Sequence, residues 1–247
     1  MNLSARQKEC LALMDIDVWV RRNAPPPGPV NGVETGVGAP APTPGKLTMP
    51  VAAASPAKAI DEPAWHTLRA EIAACTKCAL HKGRTQTVFS SGTPAADWLL
   101  IGEAPGQEED RQGEPFVGRA GKLLNSMLAA MGLGRESVCI INIVKCRPPG
   151  NRDPKPEEAL ACEPYLKRQI ELVRPKIILA LGRVAAQNLL KVDTPIGRMR
   201  GQCHEYPDPR APVVVTYHPA YLLRKPTEKR KSWEDLKFAM RVFREQA

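Results

Sequence analysis

Trp98-Leu99-Leu100-Ile101 runs directly into Gly102-Glu103-Ala104-Pro105-Gly106. An unbroken apolar run bounded by glycine and proline fits a strand buried on both faces, as in a parallel sheet. The glycines that follow let the backbone come close to a ligand. A second junction of this kind is Val213-Val214-Val215-Thr216-Tyr217, which leads into His218-Pro219-Ala220. In parallel α/β sheets, ligands sit in the crevice outside the carboxyl ends of the strands. Both loops are therefore expected to face one crevice, the first offering backbone and the second an imidazole.

The rest of the chain supports that architecture. Strand-like runs at residues 98–101, 138–142, 176–181 and 213–216 alternate with helical patterns at 64–74, 121–131, 156–172, 183–190 and 233–244. The third helix starts well, with Asp153-Pro154 ahead of it and Glu157-Glu158 in its first turn, where negative charge suits the helix dipole. Alternation of this kind predicts an α/β fold with a short parallel sheet covered on both faces. No internal repeat is present. At 247 residues there is room for one such domain, expected over 61–247, and for extra segments.

Those extra segments lie at the N-terminus. In residues 1–23, Ser4-Ala5-Arg6-Gln7 reads as a capping box, and Gln7, Cys10, Leu11, Met14 and Val18 fall near one helical face. Residues 24–60 hold nine prolines and five glycines among small side chains. Such a stretch buries too little apolar surface to offset its ordering entropy, so a disordered linker is expected. It would span roughly 35 Å as a flexible coil, or about 115 Å as continuous polyproline II.

Composition narrows the function. The net charge of +9 suits a polyanionic partner, because neutralising phosphates releases counterions. Aromatic residues make up only 5%, which disfavours extended base-stacking platforms. No apolar stretch is long enough to cross a bilayer, and the charged N-terminus makes no signal peptide, so a cytoplasmic protein without a membrane partner is expected. Seven cysteines in such a chain point to metal ligation rather than a disulfide framework. Cys75-Thr76-Lys77-Cys78 is a C-x-x-C, Cys146 follows the second strand, and Cys162 lies 16 positions later. Four thiolates from three elements suit zinc or an iron–sulfur cluster, and spacing does not choose between them. Cys10, Cys139 and Cys203 lack partners at useful spacing.

Four motifs now stand in order: Gly102-Glu103-Ala104-Pro105-Gly106, Glu114-Pro115-Phe116-Val117-Gly118, the run from Asn142 through Lys145-Cys146-Arg147-Pro148-Pro149-Gly150 to Asn151-Arg152, and His218-Pro219-Ala220-Tyr221-Leu222-Leu223-Arg224. Together with the cysteines they resemble the family 4, iron–sulfur-containing uracil-DNA glycosylases over essentially the whole core. The resemblance implies a three-layer α/β/α sandwich and a monofunctional hydrolase that releases uracil from DNA and leaves an abasic site. It also implies that Cys75, Cys78, Cys146 and Cys162 hold a structural [4Fe–4S] cluster.

Roles follow from the same resemblance. A base inside a duplex must be flipped out to be reached. Phe116 is then the stacking face, and Asn142 pairs with uracil N3–H and O4, the opposite pattern to cytosine. His218 donates to the oxygen on which charge gathers as the glycosidic bond breaks. Ala104 stands where the best-known branch has a water-orienting Asp, leaving Glu103 among several carboxylates near the attacking water. Gly102 and Gly106 give close backbone approach, and Glu109 fills the space beside Gly106 that would exclude thymine. Leu222, with Leu223 beside it, is the expected wedge into the DNA stack, and Arg224 and Lys225 begin a phosphate-binding patch that continues through Lys229, Arg230 and Lys231.

Residues 6–22 are similar to the N-terminal docking peptide of the psi subunit of the bacterial replicative clamp loader. This implies that the segment tethers a monomeric enzyme to the replication machinery. A non-catalytic replication accessory with the same fold is the alternative, disfavoured by the presence of Phe116, Asn142 and His218 together.

Overall fold

A computed structural model describes residues 58–246; the expected docking segment, 1–23, and all but the last three residues of the expected linker lie outside the described residues. The strands are β1 (Ser91–Gly92), β2 (Trp98–Gly102), β3 (Cys139–Asn142), β4 (Ile177–Leu181), β5 (Cys203–Pro207) and β6 (Arg210–Thr216). They form one sheet in the order β1-β3-β2-β4-β6-β5. The four central strands run parallel, as the apolar runs predict, whereas β1 and β5 join the two edges antiparallel. Neither edge strand is signalled by an apolar run. β1 has two residues, and β5 carries His204, Glu205 and Pro207, residues that suit an edge strand.

Successive residues of β2 point to opposite faces and feed two separate cores. Leu99 and Ile101 pack with α1 (Glu62–Ala73), α4 (Pro156–Val173) and α5 (Arg183–Leu190) through Leu68, Ile72, Ile170 and Ala186. Trp98 and Leu100 pack on the other side with α3 (Arg119–Met131), α7 (Pro219–Arg224) and α8 (Lys229–Glu245) through Leu124, Met127, Leu222 and Leu236. Each such fully buried side chain is worth about 1.5–3 kcal/mol. The result is a three-layer α/β/α sandwich. Two further short helices, α2 (Gln107–Gln112) and α6 (Ile196–Met199), sit in connections.

Local chemistry sets the helix starts. The Asp61 side chain accepts from the Ala64 N–H at 2.9 Å, and Pro63 occupies the first turn of α1, where no amide donor is required. At α4, Glu158 accepts from the Lys155 N–H at 2.8 Å and from both terminal nitrogens of Arg152 at 2.8 and 2.7 Å, which ties the loop before the helix to its first turn. α8 begins at Lys229, earlier than its apolar periodicity suggests, because its first turn is Lys-Arg-Lys-Ser. Lys58, at the end of the expected linker, donates to the carbonyls of Val173 and Arg174 at the close of α4.

Register then fixes where chemistry is possible. Gly102 pairs with Asn142, and Leu181 with Thr216, so the loops after β2, β3, β4 and β6 all leave from one end of the sheet. From β2 the chain moves first to β3 on one side and then to β4 on the other. That reversal is the switch point at which open parallel sheets bind ligands.

Candidate active site

A cleft opens at this end of the sheet, and its walls include Glu103, Ala104, Gly106, Glu109, Phe116, Asn142, His218 and Arg224. Residues expected from four separate motifs are thus brought together.

Asn142 closes β3 and is only 2% exposed. Its backbone carbonyl accepts from the Lys145 ammonium at 2.5 Å, while its side-chain Oδ1 has no hydrogen-bond partner among the described residues. A buried acceptor left unpaired costs about 1–3 kcal/mol, a penalty that a ligand N–H would relieve. Gly102 makes room for it: a Cβ there would lie 2.4 Å from Asn142 Oδ1 and 2.6 Å from the Phe116 ring.

Phe116 itself has φ +55°, a left-handed backbone that a bulky residue adopts only when its surroundings hold it there. Arg135 supplies the hold. Its guanidinium donates to the carbonyls of Pro115 and Phe116 and to Asn125 Oδ1, with the Phe116 bond at 3.2 Å. Sequence reasoning gave Arg135 no role, because nothing in its own neighbourhood signals a contact 19 residues back. Glu109 pins the same loop from the opposite direction. Its carboxylate accepts from the amides of Gly106 (3.1 Å), Val117 (3.0 Å) and Gly118 (3.0 Å), and Oε2 sits 2.7 Å from where a Gly106 Cβ would be.

His218 is the N-cap of α7. Its Nδ1 accepts from the Ala220 N–H at 3.1 Å, which assigns the proton of the neutral ring to Nε2. Burial, with Arg224 adding to it, pushes the imidazole down to about 4, so the ring is neutral throughout the physiological range. It lies 5.5 Å, centroid to centroid, from the Phe116 ring at an interplanar angle of 32°. Gly182, at φ +98°, leaves the space that His218 needs: a Cβ there would meet the His218 Cβ at 2.9 Å. The site therefore offers an aromatic face, an unpaired amide oxygen and a fixed neutral N–H donor.

The loop after β3 adds Asn151, Arg152 and Asp153 to the cleft wall. In the sequence, Asn151 and Arg152 stand inside a motif, while Asp153 carries only a helix-start signal.

Leu222 corrects one expectation. It is 0% exposed and packs into the core beneath α7, so it cannot enter a DNA stack; Leu223, at 42%, is the exposed neighbour. The basic patch is also narrower than the sequence suggests. Lys229 is buried, Lys231 pairs with Glu228 at 2.8 Å and Arg230 with Glu234 at 3.6 Å, while Arg224 and Lys225 are exposed.

Cys75, Cys78, Cys146 and Cys162 line a second, small cavity. Arg84 enters it, donating to Cys146 Sγ at 3.1 Å and to the Ala73 carbonyl at 2.9 Å. Burial raises the Cys146 thiol and pushes Cys162 up to about 11, while the buried Lys145 ammonium between them is pushed down to about 8. A bound metal centre would hold these thiols as thiolates and release their protons. Among the described residues, no three His, Cys, Asp or Glu side chains gather round one point tightly enough for a single metal ion. Cys139 is buried in β3 and Cys203 is exposed, both away from this cavity.

Comparison with known proteins places this geometry. Residues 89–237 match the family model described as the uracil DNA glycosylase superfamily. The chain is 48% identical over 173 residues to a type-4 uracil-DNA glycosylase of Archaeoglobus fulgidus, covering 68% of this chain and 87% of that protein. It is 43% identical over 177 residues to one from Sulfurisphaera tokodaii, covering 69% and 80%. A Thermotoga maritima protein of the same name is 46% identical over 153 residues, covering 61% and 78%.

Proposed function

The chain belongs to the uracil DNA glycosylase superfamily, alongside its type-4 members, and from this we infer that it hydrolyses the glycosidic bond of deoxyuridine in DNA. The observation that carries the reading is the convergence, at one cleft, of Phe116, the unpaired Asn142 Oδ1 and the Nε2–H of His218. A flipped uracil stacks on Phe116. Asn142 accepts from N3–H and donates to O4, a pattern that cytosine reverses. As the bond breaks, negative charge gathers on uracil O2, and a donor fixed there stabilises the transition state more than the ground state. The neutral imidazole does this without changing its protonation state. Glu103 is the carboxyl assigned to the attacking water, and the backbone of Gly102, Ala104 and Gly106 leaves the cleft floor open. Glu109 fills the space beside Gly106 and bars a 5-methyl group. Leu223 takes the place vacated by the flipped nucleotide, with Arg224 and Lys225 on flanking phosphates. Uracil-containing oligonucleotide should yield free uracil and an alkali-labile site; intact DNA after prolonged incubation would refute this.

We propose that the cysteine cavity holds a [4Fe–4S] cluster, for which four thiols drawn from three elements are a suitable donor set. Cys75, Cys78, Cys146 and Cys162 would hold it and so join α1 to the loop after β3 and to α4. When bound, its role is structural, since hydrolysis needs no electron transfer. Residues 1–23 are the segment proposed to dock on the replicative clamp loader, with the enzyme acting as a cytoplasmic monomer. A pull-down in which the full chain retains clamp-loader subunits and a chain lacking 1–23 does not is the expected result; equal retention would refute the tether.

A further inference from the structure

Glu103 does not face the cleft alone. Its carboxyl lies within hydrogen-bond reach of Asp153, and Asp153 accepts from Arg183 Nη2 at 2.6 Å. Arg183 is the first residue of α5 and also donates to Gln187 one turn on, at 3.0 Å, so its guanidinium is braced. The other charged groups around the pair are already committed. Arg152 is held by Glu158, Glu109 is held by three backbone amides, and Arg224 lines the same cleft as the neutral His218. The Asp153 charge disfavours ionisation of Glu103, and the Arg183 guanidinium, which acts on Glu103 as well as binding Asp153, opposes that effect.

We propose that Asp153, clamped by Arg183, is a positioning residue that sets the acidity of Glu103 and thereby the pH at which Glu103 can accept a proton from the attacking water. This rests on the uracil-excising function above. In that reaction the C1′–N1 bond breaks with its electron pair leaving on the uracil. The water oxygen bonds to C1′, and the water proton passes to Glu103, which later releases it to solvent or to the departing base. Burial first, and then Asp153, push the Glu103 carboxyl up to about 7. Below that pH the base is occupied.

The two neighbours act with opposite signs. Asp153→Asn removes the like charge and should move the midpoint of Glu103 toward acid. Arg183→Gln frees the Asp153 charge from its cation and should move it toward base. Single-turnover uracil release measured against pH reads both. Wild type should lose about tenfold per unit below a midpoint near 7, and Glu103→Gln should show no such limb. A 13C NMR titration of the Glu103 carboxyl in the full-length protein gives the same midpoints without relying on turnover. Opposite shifts of the two variants support the proposal; a merely structural loss of rate would leave both midpoints where they were. Unmoved midpoints in folded Asp153→Asn and Arg183→Gln would overturn it. If wild type released no uracil at any pH, the functional reading would fail, and the NMR titration would still judge the carboxyl pair.

Discussion

His218 owes its tautomer to an amide two residues further along the chain. With Nδ1 occupied by the Ala220 N–H, the proton sits on Nε2, where a developing oxyanion can use it. His218→Ala should therefore cost about 10²–10³ in the rate of uracil release with the fold intact, checked by single-turnover assay beside circular dichroism. Imidazole 15N shifts should show a neutral Nε2–H ring down to a midpoint near 4; titration near 6.5 would contradict the burial argument. The sign for stability follows. Between about 6.5 and about 4 the unfolded chain binds a proton that the folded His218 refuses, so this residue's contribution is lost as pH falls through that window. Subtracting the pH–stability curve of His218→Gln from that of wild type isolates it. Gly102 makes the complementary point about space. Gly102→Ala must displace the Asn142 amide or the Phe116 ring, and should lower uracil release by tenfold or more while melting within a few degrees of wild type. The motifs announced His218, Asn142 and Phe116. They could not announce Arg135 or the Asp153 contact, because those depend on loops that meet only after the sheet has formed.

At the scale of elements, α7 divides its work between adjacent residues. Leu222 anchors it in the core and Leu223 projects from it. Leu222→Ala should destabilise the protein by about 2–5 kcal/mol, seen as a lower denaturation midpoint. Leu223→Ala should leave stability unchanged and slow excision from duplex more than from single-stranded DNA, since only the duplex has a stack to fill. Equal effects on both substrates would remove Leu223 from that role. Sequence alone preferred Leu222, the buried member of the pair, because two consecutive leucines in a single short turn give no periodicity to rank them. The longer elements were legible for the opposite reason. The four central strands are continuous apolar runs, and α3, α4 and α5 show a repeating buried face. The edges, β1 and β5, were not, since a strand with one free side has no need of such a run.

For the whole molecule, two cores on opposite faces of one sheet leave the cysteine cavity at the junction of α1, the loop after β3 and α4. Freshly purified protein should show visible absorbance, lost with Cys75→Ser or Cys162→Ser. Loss of the cluster should lower the melting temperature by more than it alters the pH profile of whatever activity remains. A colourless, zinc-loaded and fully active preparation would reverse the assignment. The net charge of +9 adds a further measurable expectation. DNA affinity should fall steadily with added salt, as contacts to phosphates release their counterions.

The six residues of α7 connect a lever to a donor. Whatever pushes on the exposed leucine must also act on the amide that orients the imidazole, because Ala220 and Leu223 belong to the same rigid turn. On the role proposed for Leu223, penetration of the double helix and aiming of the proton are one movement. A free nucleoside offers nothing to press against, and should be cleaved poorly even when its base fills the pocket.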